Sequence, residues 1–153
     1  DRSLQPTGSD ADLSVKIAQG SISRALAISD GSYREIRGIL FEWLSGGDGP
    51  ASDPLEISET VLEKHEDSLD LVFDTLLLLY RDLAVIKNFP DERPVLNSDI
   101  AGMLRKVAES RPLKAIMDGV ELIYLTRGRI FHNNANPRMA LDDMFLRLKY
   151  GNN

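Results

Sequence analysis

Apolar residues in this chain recur every three or four positions, the spacing of helices that bury one face. Tyr33, Ile36, Leu40, Trp43 and Leu44 make the first long stripe, which stops at the Gly/Pro-rich loop from Ser45 to Pro50. Pro54 is placed to open a second helix, with Ile57, Val61 and Leu62 on its face. After Glu66-Asp67-Ser68 comes the most hydrophobic segment, from Leu69 to about Phe89. Val72, Phe73, Leu76, Leu79, Tyr80, Leu83 and Ile86 form its stripe, and Leu77, Leu78 and Val85 widen it. Asp70, Asp74, Arg81 and Asp82 leave only a narrow polar strip, so this segment is predicted to be the covered, central helix.

Pro90 and Pro94 interrupt the pattern, after which Asn97 or Ser98 is expected to cap a helix carrying Ile100, Met103, Leu104 and Val107. Ser110 followed by Pro112 has the cap-then-proline order that opens a long helix. Leu113, Ile116, Met117, Val120, Ile123, Tyr124, Ile130 and Phe131 are its expected buried face. Asn133-Asn134-Ala135 reads as a turn, and the last helix runs from Pro137, capped by Asn136, to about Tyr150. No alternating strand or Asn-Gly hairpin turn competes, so the fold class is all-α, with five or six helices between residues 31 and 153. Upstream, Asp12 to Gly20 and Ser21 to Asp30-Gly31 are two short helical patterns, too small to bury a core of their own.

Composition narrows the chemistry. The 153 residues are 42% hydrophobic, which supports a packed core, and the absence of cysteine removes disulfides, thiol catalysis and Cys-ligated zinc. No run approaches the ~18 apolar residues of a membrane span and no signal peptide is evident, so a cytoplasmic protein without membrane contact is expected. The opening at Asp1 reads as the interior of a longer protein. The net charge of −6 is uneven: residues 1–80 carry 6 Lys/Arg against 15 Asp/Glu, and residues 81–153 carry 12 against 9. Neither half has the dominant positive charge of a nucleic-acid surface, whereas opposite signs can steer neighbouring subunits together.

Catalytic signatures are weak. No Gly-x-x-x-x-Gly-Lys-Ser/Thr loop occurs, and the Gly46–Gly49 stretch holds Asp48 rather than a base. The 2 histidines, His65 and His132, lack the i+4 partner of a helical metal pair. His65-Glu66 resembles the start of a histidine-kinase phosphoacceptor box, although the Arg, Thr and Pro that complete such a box are missing. Asp142-Asp143 lacks the third acid of a diphosphate-metal site, and Arg127 and Arg129 point to different faces of their helix. No cofactor or metal site is expected, and no catalysis by this segment.

Two motifs go beyond capping and periodicity. Asn134-Ala135-Asn136-Pro137-Arg138-Met139-Ala140-Leu141, followed by Leu146-Arg147-Leu148, resembles the last helix of bacterial DNA polymerase III clamp-loader subunits, the delta-prime family above all. Gly20-Ser21-Ile22-Ser23-Arg24-Ala25-Leu26 resembles the turn in that family's AAA+ lid domain. The resemblance covers roughly residues 11 to 150. It implies the end of a lid domain over residues 1–30 and a helical collar, or oligomerisation, domain over 31–153. It also implies a non-catalytic role in assembling the loader that places the sliding clamp on primed DNA for the replicative polymerase, a nucleotidyltransferase. The implied partners are the gamma/tau and delta subunits, with DNA reached only through the assembled complex.

In related ATPases a lid arginine senses the nucleotide. Here Ser23 stands at its position and Arg24 one residue later, which leaves Arg24 as a weak nucleotide-sensing candidate and fits a subunit that does not hydrolyse ATP. The expected interface residues are Asn136, Pro137 and Arg138 in the motif, together with Leu122 and Leu125 beyond the core stripe of the preceding helix. Two alternatives stay open: the collar of a gamma/tau-type ATPase subunit, and a histidine-phosphotransfer or dimerisation domain using His65.

Overall fold

A computed structural model describes residues 30–46, 49, 52–89 and 94–151. The expected lid segment and Arg24 therefore lie outside the described residues, apart from Asp30. Among those residues there are six α-helices and no strand: α1 Asp30–Ser45, α2 Pro54–His65, α3 Leu69–Asn88, α4 Ala101–Glu109, α5 Leu113–Phe131 and α6 Pro137–Tyr150. Short 3₁₀ turns, Glu66–Ser68 and Ser98–Ile100, lead into α3 and α4. The all-helical fold expected from the spacing is the fold observed. Asp30-Gly31, read as the end of an upstream helix, instead belongs to the first turn of α1.

Helix starts follow the local chemistry where a side chain can reach a free N–H. Asp53 caps α2 by accepting from Leu55 N at 2.9 Å, with Pro54 in the first turn. Asn136 does the same for α6, accepting from Met139 N at 3.0 Å. Two expected caps are not formed. Ser110 donates to the carbonyl of Val107 behind it, so Pro112 occupies the position before α5 with no side-chain cap. Asn97 turns its side chain toward α1 and α3, and α4 is entered through the Ser98–Ile100 turn.

The helix α3 is the centre. Every residue from Leu71 to Tyr80 is buried, and α1, α4 and α5 pack around it while α6 bridges α2 and α5. Leu77 and Leu78, which widen the α3 stripe, are buried within this chain, and Val85 is half-buried. One continuous core runs from Ile36 to Leu148. Within it Trp43 meets Phe145 edge-on at 4.9 Å between ring centroids, joining α1 to α6. The α3–α5 crossing is close because Gly119 faces Tyr80: a Cβ added at Gly119 would lie 2.6 Å from Tyr80 Cε2.

The narrow polar strip of α3 is not a solvent strip. Asp82 is fully buried and accepts from Leu96 N at 2.7 Å, Asn97 N at 2.8 Å and Asn97 Nδ2 at 2.8 Å. A buried carboxylate is tolerated when its oxygens are this fully bonded. Asn97 Oδ1 in turn accepts from the Tyr33 hydroxyl at 2.8 Å and from Arg37 at 3.2 Å, which ties the α3–α4 connector back to α1. Asp74 is also buried. It shares Arg127 of α5 with Asp70, at 2.9 and 2.8 Å, a clamp across the α3–α5 contact.

Candidate subunit interface

The described residues offer no convergent catalytic site. No group of three or more His, Cys, Asp or Glu side chains among them is placed to hold a metal ion. His65 is only 8% exposed; its Nε2 sits 3.1 Å from Glu35 Oε1, near but off the line of a hydrogen bond. An imidazole nitrogen buried to that degree cannot reach a phosphodonor without rearrangement, which weighs against phosphotransfer. Asp142 and Asp143 are taken up in helix-surface pairs, with Arg138 at 3.1 Å and Arg147 at 3.0 Å. Arg127 and Arg129 do diverge: the first holds Asp70 and Asp74, the second reaches Asp143 at 3.7 Å.

A groove of about 520 Å³ opens between α1, α4 and the end of α6, with Trp43, Met103 and Val107 on its walls and Lys106, Arg111 and Lys149 at its edges. Two of these cations serve the fold. Arg111 donates to the carbonyl of Leu44 at 3.3 Å, and Lys149 donates to the carbonyl and hydroxyl oxygens of Ser52, each at 3.0 Å. Nearby, burial pushes the Tyr80 hydroxyl up to about 12, against a smaller opposing effect of Arg111. On the opposite flank, hydrogen bonding from Arg37 holds the Asp99 carboxyl below its ordinary range, and burial raises the Tyr33 hydroxyl. None of these groups joins a nucleophile, an acid and a base at one point.

Exposed apolar surface is the more prominent feature, and one stretch of it lies on α5. Ile116, Gly119, Leu122, Ile123, Thr126 and Ile130 are the buried side of that helix. Met117, Tyr124, Leu125 and Phe131 are between 42% and 52% exposed. At 100° per residue, Met117, Tyr124 and Gly128 lie close to opposite the buried line. Three residues expected in the core, Met117, Tyr124 and Phe131, therefore face out, although Phe131 keeps an edge contact with Phe73 at 6.2 Å. The reason is the crossing with α3. The gap over Tyr80 admits only a glycine, so Gly119 and Thr126 turn inward and carry the bulky residues to the other side. Thr126 satisfies its hydroxyl within the helix by donating to the carbonyl of Leu122 at 2.8 Å.

The candidate interface residues divide accordingly. Leu122 is 8% exposed and belongs to the core, because its position on α5 turns it toward α6; its expected partner-facing role is corrected. Leu125 is on the open face. Asn136 is exposed but its side chain is spent on the cap, Pro137 is half-buried in the first turn, and Arg138 is exposed and paired with Asp142. Met139, beside them, is 73% exposed. Sequence reasoning did not single out Met117, Tyr124, Phe131 and Met139 as exposed, since apolar spacing alone does not tell which side of a broadly apolar helix a close crossing will claim. The signal that could have found them is Gly119 in line with Ile116 and Ile123. No protein-family model, curated protein or solved structure matches the chain.

Proposed function

We propose that this chain is an assembly domain of a bacterial clamp-loader subunit of the delta-prime kind, without chemistry of its own. On this reading residues 31–153 are a collar that packs against the gamma/tau and delta subunits, and the end of a lid domain precedes it. The observation that carries the proposal is the outward face of α5. The bundle presents Met117, Tyr124 and Leu125 to solvent on one side of α5, around the exposed Glu121, and large apolar side chains grouped on one helix face suit a protein-binding surface. The Asn136-Pro137 cap of α6 supports the resemblance at the level of residue role: both motif residues do at the helix start what their identities are suited to. The charge pattern supports it as well, because an acidic N-terminal half and a mildly basic C-terminal half suit head-to-tail packing of related subunits. A gamma/tau-type collar would present the same features.

The test is co-purification of the chain with the cognate ATPase and delta subunits after co-expression. Stable association together with weak, salt-sensitive DNA binding is the expected result. A chain that ignores those subunits and binds duplex DNA tightly would sink the proposal. Nucleotide titration gives an independent check, with no stoichiometric ATP binding and no hydrolysis expected from the isolated chain.

A further inference from the structure

We infer that the groove between α1, α4 and the end of α6 seats a short acidic peptide segment of a partner, one that carries a large apolar side chain beside its carboxylates. The inference stands on the groove alone, not on the assembly reading above. Three cations line the groove, Lys106 from α4, Arg111 from the α4–α5 connector and Lys149 from α6, and no Asp or Glu lines it. Arg111 and Lys149 donate to neutral oxygens, of Leu44 and of Ser52, and Lys106 has no partner among the described residues. Elsewhere the cations meet carboxylates: Arg37 holds Asp99, Arg127 holds Asp70 and Asp74, and Arg138 holds Asp142. Like charges gathered in a cleft focus a positive field there, which a bound carboxylate relieves. Three acids adjoin lining residues in sequence, and none fills that role. Glu42 and Glu109 are exposed and outside the lining, and Asp53 is spent on the α2 cap. At 100° per residue Glu109 lies about 110° round α4 from the side that carries Met103, Lys106 and Val107.

The walls select a peptide over a bare anion. Trp43, Leu44 and Val107 line the groove, and Met103 and Tyr150 border it with large apolar area still in water. A small inorganic anion would meet the cations and leave that area uncovered, whereas an aromatic or branched side chain next to a carboxylate covers it. The volume of about 520 Å³ is that of an ordinary ligand site, room for a few side chains rather than for a domain. Charge also limits how far the occupant extends. A nucleic-acid strand running past the groove would meet exposed Glu42 and Glu109 on a chain of net charge −6, whereas a short acidic segment stays over the three cations.

The experiment follows the fluorescence anisotropy of a labelled synthetic peptide, Gly-Asp-Glu-Leu-Asp-Glu-Phe-Asp-Gly, titrated with the full chain at low salt, with urea unfolding of each variant in parallel. Saturable binding is expected. Lys106→Glu should weaken it about fivefold or more and Met103→Ser about threefold or more, both at exposed positions where the fold tolerates the change. Lys64→Glu, the same charge change at the far end of α2, should bind within about twofold of wild type. A peptide with Ser in place of its Leu and Phe should bind about threefold more weakly or worse. No saturable binding, or wild-type affinity in Lys106→Glu, in Met103→Ser or with the Ser peptide, would overturn the inference. The assembly reading would be untouched, since it is tested on the gamma/tau and delta subunits. Stronger competition by single-stranded DNA of matched charge than by unlabelled peptide would assign the groove to nucleic acid, and a concentration-dependent dimer of the chain alone, abolished by Lys106→Glu, would assign it to a second copy; either result overturns the inference.

Discussion

Gly119→Ala and Gly128→Ala are the same substitution on the same helix, and the structure assigns them opposite signs. At Gly119 the new methyl would sit 2.6 Å from Tyr80 Cε2 and 3.2 Å from both Tyr80 Cδ2 and Leu148 Cδ2. Carbon atoms prefer roughly 3.5–4.0 Å, so the ring would have to retreat by about 1 Å. It has little room, since Tyr80 is among the largest fully buried side chains and its neighbours are other core residues. Overpacking of this kind costs about 1–3 kcal/mol. Against that stands the helix preference for alanine over glycine, up to about 1 kcal/mol. The net expectation is a loss of roughly 1–2 kcal/mol at Gly119. At Gly128 the methyl meets open space, and only the helix preference remains, a gain of up to about 1 kcal/mol. Because the preference is common to both variants, their difference isolates the overpacking. Urea unfolding of the isolated chain, followed by the fluorescence of its 1 tryptophan and by circular dichroism, measures it. Equal stabilities would mean that α5 does not cross Tyr80 at Gly119, and the rotation that turns Met117 and Tyr124 outward would fall with it.

Asp82→Ala removes the acceptor of Leu96 N, Asn97 N and Asn97 Nδ2 and should destabilise by roughly 3–5 kcal/mol in the same urea assay; a loss under about 1 kcal/mol would show the connector is not held from α3. Tyr80, pushed up to about 12 by burial against 10.0 when exposed, keeps its proton in the folded state after the unfolded chain has lost it. Stability should therefore fall as pH rises from about 10 to 12, by up to roughly 2–3 kcal/mol, and Tyr80→Phe should flatten that limb; an unchanged slope in the variant would refute the assignment. Asn136→Ala should lower stability by about 1 kcal/mol through loss of the bond to Met139 N, detectable as a lower urea midpoint, and no change would show the cap is dispensable.

Helix identity was legible wherever spacing and punctuation agreed. Asp53-Pro54 and Asn136-Pro137 mark real starts because a carboxylate or amide one residue before proline can reach the free N–H groups ahead. Ser110 and Asn97 look equally suitable in sequence, yet each found a different partner: Ser110 the carbonyl of Val107, Asn97 the buried Asp82. Long-range partners of that kind, 15 residues away for Asn97 and Asp82, leave no periodic trace. The same holds for Asp74 and Asp82, which read only as part of a narrow polar strip until Arg127 and the Leu96–Asn97 backbone are brought to them. The motif around Asn136 was visible because it is contiguous. Leu122 and Leu125 could not be sorted from sequence, since both sit at the margins of a helix whose core side is fixed by a distant residue, Tyr80.

That distant constraint links the fold to the proposed assembly. The inward side of α5 carries Ile116, Leu122, Ile123 and Ile130 beside the small Gly119 and Thr126, and the hydrophobic effect favours burying that side. The Arg127 clamp onto Asp70 and Asp74 holds this rotation, since turning α5 would withdraw the guanidinium from both carboxylates. With that side turned in, Met117, Tyr124 and Leu125 remain partly in water. On the proposed reading a neighbouring subunit covers them, and Gly119 against Tyr80 and the bulky side chains facing solvent are two sides of one arrangement. Stability of the bundle and affinity of its outer face would then be coupled through the register of α5. A substitution that lets the helix rotate, such as Arg127→Ala, should weaken subunit binding without touching the partner, measured as loss of co-purification at a temperature where the variant remains folded. Undiminished binding in a folded Arg127→Ala chain would show that the outer face does not depend on the clamp.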